Sequence, residues 1–340
     1  MRLVTLVCLC ALFAFTYQAA ELRAEEPPAG AVPFPVDRTT KLTARKGPVY
    51  YIDGPTVIAK KAEITVQLDV RIVGINGASL DVQGGLKVHG TQDHWVRIDN
   101  VDFSPTRESH LGVHLDMVDL RGCRFVHGEG EGFTGDLTIE NGAMQRDCAF
   151  DVCMHTGTLK LMTLDSGIPW TIRCASPDPK TKPILVQVRS CWARNVRLSG
   201  ACDATFRHSE IKDGLRCSNV TEVVVDGCDL TDTLAVHQGP DDVFKKITLS
   251  KCNLFDGCTL VLHREPNEDA KKEKVKVDKF YFGPRDGGGA LTKPDDVAKR
   301  IDDGEDVAHR RVVARVGKPA KKKHLLVKYG PLRLRVPAVR

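Results

Sequence analysis

The chain repeats a phrase in which apolar and polar residues alternate, break at a polar pair and then alternate again. In "VVVDGCDLTDTL", residues 223–234, the first run ends at Asp226-Gly227 and the second begins at Cys228. Variants of the phrase begin at Val96, Val118, Met144, Val186, Thr205 and Ile247. A period of two on both sides of a polar pair predicts two short strands joined by a tight bend.

The bend positions carry residues that tolerate a left-handed backbone. Asn100, Gly122 and Gly227 fall there, and this conformation costs little for Gly and is tolerable for Asn. A third alternating run follows a second turn, as in Leu215 and Cys217. Each repeat therefore predicts three strands.

The spacing of one slot after the bend decides the architecture. The slot holds Val101, Cys123, Cys148, Cys191, Ser209, Cys228 and Cys252, at intervals of 22, 25, 43, 18, 19 and 24 residues. The interval of 43 corresponds to two units with one degenerate copy between them. Stacked repeats of this period, without the frame of a leucine-rich repeat, predict an all-β parallel solenoid of about 9 to 10 coils.

The N-terminal repeats and the spacing together resemble a known family. The stretch "LDVQGGLKVHG", residues 80–90, and the phrases that follow are similar to right-handed parallel β-helix proteins of the pectate-lyase-like superfamily. The resemblance covers roughly residues 47–265 and implies a right-handed parallel β-helix. It implies no single activity, because the superfamily mixes lyases, glycosidases, adhesins and scaffolds.

The catalytic motifs of the enzymatic relatives are incomplete in this chain. "WVRIDN" at Trp95 and "HREPNE" at His263 are partial matches to lyase elements, and Asp241-Asp242 supplies only the paired aspartates of polygalacturonase-type enzymes. The family's catalytic residues therefore do not carry over residue by residue.

The remaining sequence divides the chain into four segments. Residues 1–24 read as a signal peptide, with Arg2 before a short apolar run. Residues 25–46 are predicted to form a linker or N-terminal cap, residues 47–265 the β-helix, and residues 266–340 a basic, β-rich C-terminal cap. From Arg264 onward the chain has 21 Lys and Arg against 12 Asp and Glu, whereas the whole chain carries +5. The expected location is secreted, periplasmic or cell-surface, with no stable membrane span after signal cleavage.

The cysteines favour packing over metal binding. Ten of the twelve follow the signal segment, and five of them interchange with Val and Ser in the repeated slot. Buried cysteine behaves as a small hydrophobe, and the spacing is not that of a metal site. Disulfides between neighbouring coils remain open.

Aspartates lie four residues after the slot in several copies. They are Asp213, Asp232 and Asp256, with Asn195 and His127 in the same position of other copies. Stacked about 4.8 Å apart, such carboxylates would repel one another, which raises a pKa or recruits a cation. Carboxylate pairs serve glycoside hydrolysis, and clusters serve a calcium-assisted lyase. The same aspartates are also ordinary turn residues.

These observations leave two functions open. The first is an exported, non-catalytic β-helix scaffold or a carbohydrate- or surface-binding protein. The second is a diverged polysaccharide lyase or glycoside hydrolase that uses the aspartate column. The catalytic candidates are Asp213, Asp232, Asp256 and His237, and the binding candidates are Arg216, His263, Asp241 and Asp242.

Expected partners and cofactors follow from the same reasoning. An acidic polysaccharide or a component of the cell envelope fits the basic tail, and nucleic acid is not expected because aromatic residues are few. No metal site is expected: His110 and His114 would lie about 13 Å apart on a strand. Calcium at the aspartate column is the one cofactor left open, as is the oligomeric state.

Overall fold

The computed structural model describes residues 25–43, 49–104, 112–126, 132–175, 182–238, 246–264, 276–283, 301–302 and 313–316. Within these residues the chain contains strands and no helix. The strands stack in parallel as a right-handed β-solenoid of about nine turns. The predicted fold class is therefore confirmed.

One face of the coil is a sheet of mostly unbent strands, here named the straight sheet. Its strands are β2 (Thr40–Leu42), β4 (Glu63–Gln67), β6 (Gly85–His89), β9 (Val113–Asp116), β13 (Leu137–Glu140), β16 (Thr158–Met162), β18 (Ile184–Arg189), β20 (Cys202–Arg207), β22 (Glu222–Asp226), β24 (Lys246–Ser250), β26 (Lys276–Gly283) and β28 (Val313–Val316). Each pairs in parallel with the strand one coil away.

The other strands form the bent sheet, in which the chain turns a corner midway along each coil. They are β1 (Val32–Pro33), β3 (Val49–Ile58), β5 (Arg71–Val82), β7 (Val96–Asp99), β8 (Asp102–Ser104), β10 (Val118–Arg121), β11 (Arg124–Phe125), β12 (Phe133–Thr134), β14 (Ala143–Met144), β15 (Ala149–Thr156), β17 (Asp165–Cys174), β19 (Trp192–Gly200), β21 (Glu210–Ser218), β23 (Asp229–Gln238), β25 (Asn253–Arg264) and β27 (Ile301–Asp302). The second and third predicted strands of a coil are thus often one strand with a bend.

The core is built from columns of like residues that stack between coils. One column of the straight sheet contains the fully buried Val88, Leu115, Ile139, Leu161 and Val188. Because side chains alternate across a strand, the inward residue of each coil falls on that of the next. Each such burial contributes about 1.5–3 kcal/mol.

Aromatic residues form a second core stack inside the bent sheet. The ring centroids of Phe103 and Phe125 are 4.6 Å apart and the planes are nearly parallel, and Phe150 continues the stack 5.5 Å from Phe125. Trp170 ends it, and its indole N–H donates to the Ser166 hydroxyl at 2.8 Å. The one polar group of the stack is therefore satisfied despite complete burial.

The repeated phrase lies at two different corners of the coil, which corrects the prediction of a single column. Arg124 pairs with both Asp102 and Ala149, so the slot of Cys123 stacks on those of Val101 and Cys148, at the corner within the bent sheet. The later slots lie where the straight sheet passes into the bent sheet. They are Cys191, Ser209, Cys228 and Cys252.

The two corners look alike in sequence because they make the same local demands. Each needs a left-handed residue and then a small side chain pointing inward. Asn100 and Gly122 meet the first demand at one corner, and His208 and Gly227 meet it at the other, with φ between 51° and 65°. The predicted register between His127 and Asp232 depended on a single column, and His127 lies outside the described residues.

The slot favours a small hydrogen-bond donor, which explains its cysteines. The Cys123 thiol donates to the Ile98 carbonyl of the preceding coil at 3.3 Å, and the Cys191 thiol donates to the Leu161 carbonyl at 3.2 Å. Ser209 fills the slot with a hydroxyl that donates to the Arg207 carbonyl at 2.9 Å. The predicted packing role is confirmed, because all ten cysteines of the described residues are buried and none of them forms a disulfide.

Candidate functional site on the bent sheet

The predicted aspartate column exists in the backbone of the bent sheet. Asn195, Asp213 and Asp232 mark the bends of β19, β21 and β23, with φ of 42°, 60° and 72°. The pairing of Thr231 with Phe255 and of Thr233 with Thr259 leaves three residues, 256–258, opposite Asp232, so Asp256 belongs to an irregular step beside Asp232 and not to a one-to-one pair with it. The side chain of Asp256 is outside the description. All three described members have the left-handed conformation that Asn and Asp adopt more readily than most residues.

The carboxylates of this column form ion pairs with arginines. Arg194 donates to Asp213 Oδ2 through Nε at 2.7 Å and approaches the same oxygen through Nη2 at 2.6 Å. Nη2 of Arg216 lies 3.6 Å from Asp232 Oδ2. The positive charge that stacked carboxylates were expected to recruit is therefore provided by the guanidinium groups of the protein. Both aspartates are about half exposed, so each pair is a surface ion pair rather than a buried catalytic dyad.

Of the other predicted site residues, some follow the bend on their own strand and some lie outside the described residues. Arg216 is aligned with Arg197 and Ala235, and His237 is aligned with Ser218 and His263. Nothing is described of the side chain of His263, and Asp241 and Asp242 lie outside the described residues. Arg216 thus shares β21 with Asp213, and His237 shares β23 with Asp232.

A second constellation on the same outer face was not found from the sequence. Asp165, Trp192 and Glu210 are register partners on β17, β19 and β21. The indole of Trp192 is partly exposed, and a Cβ placed on Gly167 would lie 3.5 Å from its Cζ3 atom, so the ring covers that glycine. We name Asp165, Trp192, Arg194, Glu210 and Lys212 the Trp192 surface.

Charged groups surround the indole. The Lys212 ammonium lies 5.3 Å from the ring centroid, which is cation–π distance, and 3.9 Å from Glu210 Oε1. Burial raises the pKa of Asp165 above its ordinary value. Among the described residues no side chain donates to that carboxyl group. The surface therefore combines the Trp192 indole with the Lys212 ammonium, one carboxyl group that is paired with a lysine and one that is not.

The repeat pattern of the sequence did not single out Asp165 or Trp192. Asp165 belongs to the coil between Cys148 and Cys191, the degenerate copy of the phrase, and Trp192 is one letter of the generic phrase "VQVRSCWARN". The available signal was Trp192 at a position that holds Asp229 or Asn253 in later copies. An indole among polar residues on the outer face of a strand indicates a binding position.

Comparisons with other proteins do not assign the site. Family models, curated proteins and solved structures were compared with the chain, and none matches it. The described part of the chain has no group of three or more His, Cys, Asp or Glu that could hold a metal ion. A search of the same residues for a long apolar helix that could cross a membrane found none.

Proposed function

We propose that this protein is an exported, non-catalytic β-helix that binds a carbohydrate on the outer face of the bent sheet. The observation that carries the proposal is the partly exposed indole of Trp192, which lies on a parallel sheet between its register partners Asp165 and Glu210. Export is supported by the apolar N-terminal segment. The basic C-terminal segment suits an acidic partner surface.

The chemistry of the Trp192 surface suits a sugar. An indole presents an apolar face, on which the C–H face of a pyranose ring can stack, while its edge remains polar. The carboxyl groups of Asp165 and Glu210 accept hydrogen bonds from sugar hydroxyls. Lys212 and Arg194 balance the formal charge of the two carboxyl groups, so this surface offers donors and acceptors to a sugar without a net charge.

The ion pairs of the aspartate column support binding over catalysis. A glycosidase that used Asp213 and Asp232 would need one carboxyl group to donate a proton and the other to act as base or nucleophile. Each of these groups instead faces an arginine, and each lies at a left-handed bend whose backbone favours Asp or Asn. Stabilising a bend accounts for both residues without any substrate.

A binding experiment tests the proposal. The full chain would be titrated by calorimetry with acidic and neutral polysaccharides, with and without calcium. Binding of at least one glycan, lost in Trp192→Ala and retained in Trp95→Ala, is the expected result. Trp95 is the matched control, because its indole is also partly exposed but lies outside the bent sheet, where it donates to the Gln92 carbonyl. Equal binding by both variants would contradict the proposal.

The catalytic alternative has one observation in its favour, which is Asp165. Burial beside Trp192 raises the pKa of this carboxyl, as a general acid requires. Glu210 is two strands away, about 10 Å along the sheet, near the upper end of the carboxyl separation in inverting glycosidases. New reducing ends that vanish in Asp165→Asn and persist in Asp232→Asn would establish this second function.

A further inference from the structure

Arginines and aspartates interlock on the bent sheet at the N-terminal end of the solenoid. Arg71 and Arg97 are register partners on β5 and β7, and Asp119 on β10 continues their row. Asp99 and Arg121 are partners in a neighbouring row. We name these five residues the arginine lattice. It contains three guanidinium groups and two carboxylates, so its formal charge is +1.

Two arginines of the lattice share one carboxylate. Nε of Arg71 donates to Asp99 Oδ2 and Nε of Arg97 donates to Asp99 Oδ1, each at 2.6 Å. The Asp99 side chain is only 6 % exposed, whereas those of Arg71 and Arg97 are 45 % and 36 % exposed. A buried carboxylate therefore fixes two guanidinium groups that reach solvent.

The third arginine is neutralised within the lattice. Arg121 donates to Asp119 Oδ2 through Nε at 2.8 Å and lies 2.7 Å from it through Nη2, and Gln145 donates to Asp119 Oδ1 at 2.8 Å. This hydrogen bond to Asp119 is the main reason that the pKa of Arg121 is raised. Asp147 acts on Arg121 as well, more weakly than Asp99. The unbalanced charge thus lies at Arg71 and Arg97.

Arg71 and Arg97 also keep most of their hydrogen-bond donors. A guanidinium has five N–H groups, and each of these two uses Nε on Asp99. Among the described residues, their Nη groups donate to no protein atom. Two such groups on neighbouring strands are about 4.8 Å apart at the backbone, a spacing at which both can donate to one oxyanion.

We propose that Arg71 and Arg97 form a binding site for a singly charged oxyanion, the carboxylate or sulfate ester group of a glycan. Its charge matches the single unbalanced positive charge, and its planar or pyramidal oxygens match the guanidinium forks. The site shares no residue with the Trp192 surface, and it depends on the proposed function only for the source of the anion.

The two sites lie on one continuous row of the bent sheet. Register partners lead from Arg97 through Asp119, Ala143 and Asp165 to Trp192. Four strand steps of about 4.8 Å separate Arg97 from Trp192, or about 19 Å along the solenoid axis. One acidic oligosaccharide can therefore contact both sites.

A titration with simple anions tests the site directly. The full chain, labelled with 15N, would receive sodium sulfate or sodium acetate at constant ionic strength while the arginine Nε–Hε signals are recorded. Saturable shifts of the Arg71 and Arg97 signals are expected. The Arg124 signal is the internal control, because both Nε and Nη2 of Arg124 are engaged by Asp102. Shifts of equal size at Arg124, or no saturation, would overturn the proposal.

Matched variants then separate this site from general charge effects. Arg97→Gln leaves Asp99 paired with Arg71, and its affinity for the anion is expected to fall about tenfold or more. Arg124→Gln removes the same charge, and its affinity is expected to change less than about twofold, since exposed charges are screened by salt. Equal losses in both variants would show charge alone and overturn the site.

Glycan arms identify the source of the anion and keep the two proposals distinguishable. A polyuronate, a sulfated galactan and a neutral glucan would be titrated into the wild type and Arg97→Gln. Loss confined to the polyuronate assigns the carboxylate, and loss confined to the sulfated galactan assigns the sulfate ester. An equal loss with the neutral glucan would contradict the site. Trp192→Ala should retain binding of the simple anions, so failure of the Trp192 surface would leave this test unaffected.

Discussion

The bend at Asp232 offers a test of whether the aspartate column is structural. Asp232 has φ of 72°, in the left-handed region where a non-glycine residue such as alanine costs about 1–2 kcal/mol. Asp232→Ala and Asp232→Gly both remove the carboxylate and its contact with Arg216. Their difference in unfolding free energy therefore cancels the ion pair and leaves the backbone cost. Glycine is expected to be the more stable of the two by about 1 kcal/mol.

Asp151 provides the matched control. It is also a partly exposed aspartate paired with an arginine, since Nη2 of Arg173 lies 3.2 Å from its Oδ2 atom. It lies within β15, however, and is not among the residues of positive φ. In extended backbone glycine is the costlier residue by about 0.5–1 kcal/mol. The preferred substituent should therefore be glycine at position 232 and alanine at position 151.

Urea unfolding followed by circular dichroism at 25 °C would measure the four variants, with the midpoints compared at equal slope. If Asp232→Ala were as stable as Asp232→Gly, the left-handed bend would not explain this aspartate. Asp232→Asn adds a functional check, because Asn keeps the bend and removes only the charge. Unchanged glycan binding in Asp232→Asn is expected, and a marked loss would return the residue to the list of site candidates.

Three further outcomes follow from the packing. Phe125→Ala removes the central ring of the aromatic stack and should lower the unfolding free energy by about 3–5 kcal/mol in urea titrations, and a cost below 1 kcal/mol would contradict the stack. Gly200→Ala should prevent folding or lower the melting temperature strongly, because its Cβ would lie 1.9 Å from the Cys174 carbonyl oxygen. Gly30→Ala, also at positive φ (75° against 95°) but in open space, should cost only the backbone strain of about 1–2 kcal/mol. Burial raises the pKa of Cys123, Cys191 and Cys217 to about 12, above the value of 9.0 of an exposed thiol. Because the thiols of the unfolded chain lose their protons at lower pH than those of the folded chain, the unfolding free energy should fall from pH 9 towards pH 12. Urea midpoints that stay constant up to pH 11 would contradict the burial of these thiols.

The fold could be predicted because a solenoid repeats one rule in every coil. Alternation of inward and outward residues and a period of about twenty residues are visible in one sequence, and both follow from stacking. The corners could not be told apart in this way. Gly122 and Gly227 are followed by the same kind of residues, since each corner needs a left-handed residue and a small inward one. Only strand pairing distinguishes them.

The candidate site was predictable only in part. Asp213 and Asp232 were placed in one column by their spacing, and the structure stacks their bends. Arg216 was predicted only as a binding residue, and Arg194 was not predicted at all. Their ion pairs with Asp232 and Asp213 escaped prediction, because each arginine lies one coil before its aspartate and that pairing gives no periodic signal. Trp192 escaped because it occurs in a single coil. A repeat pattern identifies the residues that every coil shares, and it gives no signal for a residue that only one coil carries.

The most direct test of the proposed function is a crystal structure of the full chain with the oligosaccharide that binds best. The account predicts a sugar ring stacked on the indole of Trp192, with hydroxyl groups within hydrogen-bond distance of Asp165 or Glu210. A glycan bound on the straight sheet, or on the bent sheet away from Trp192, would contradict it.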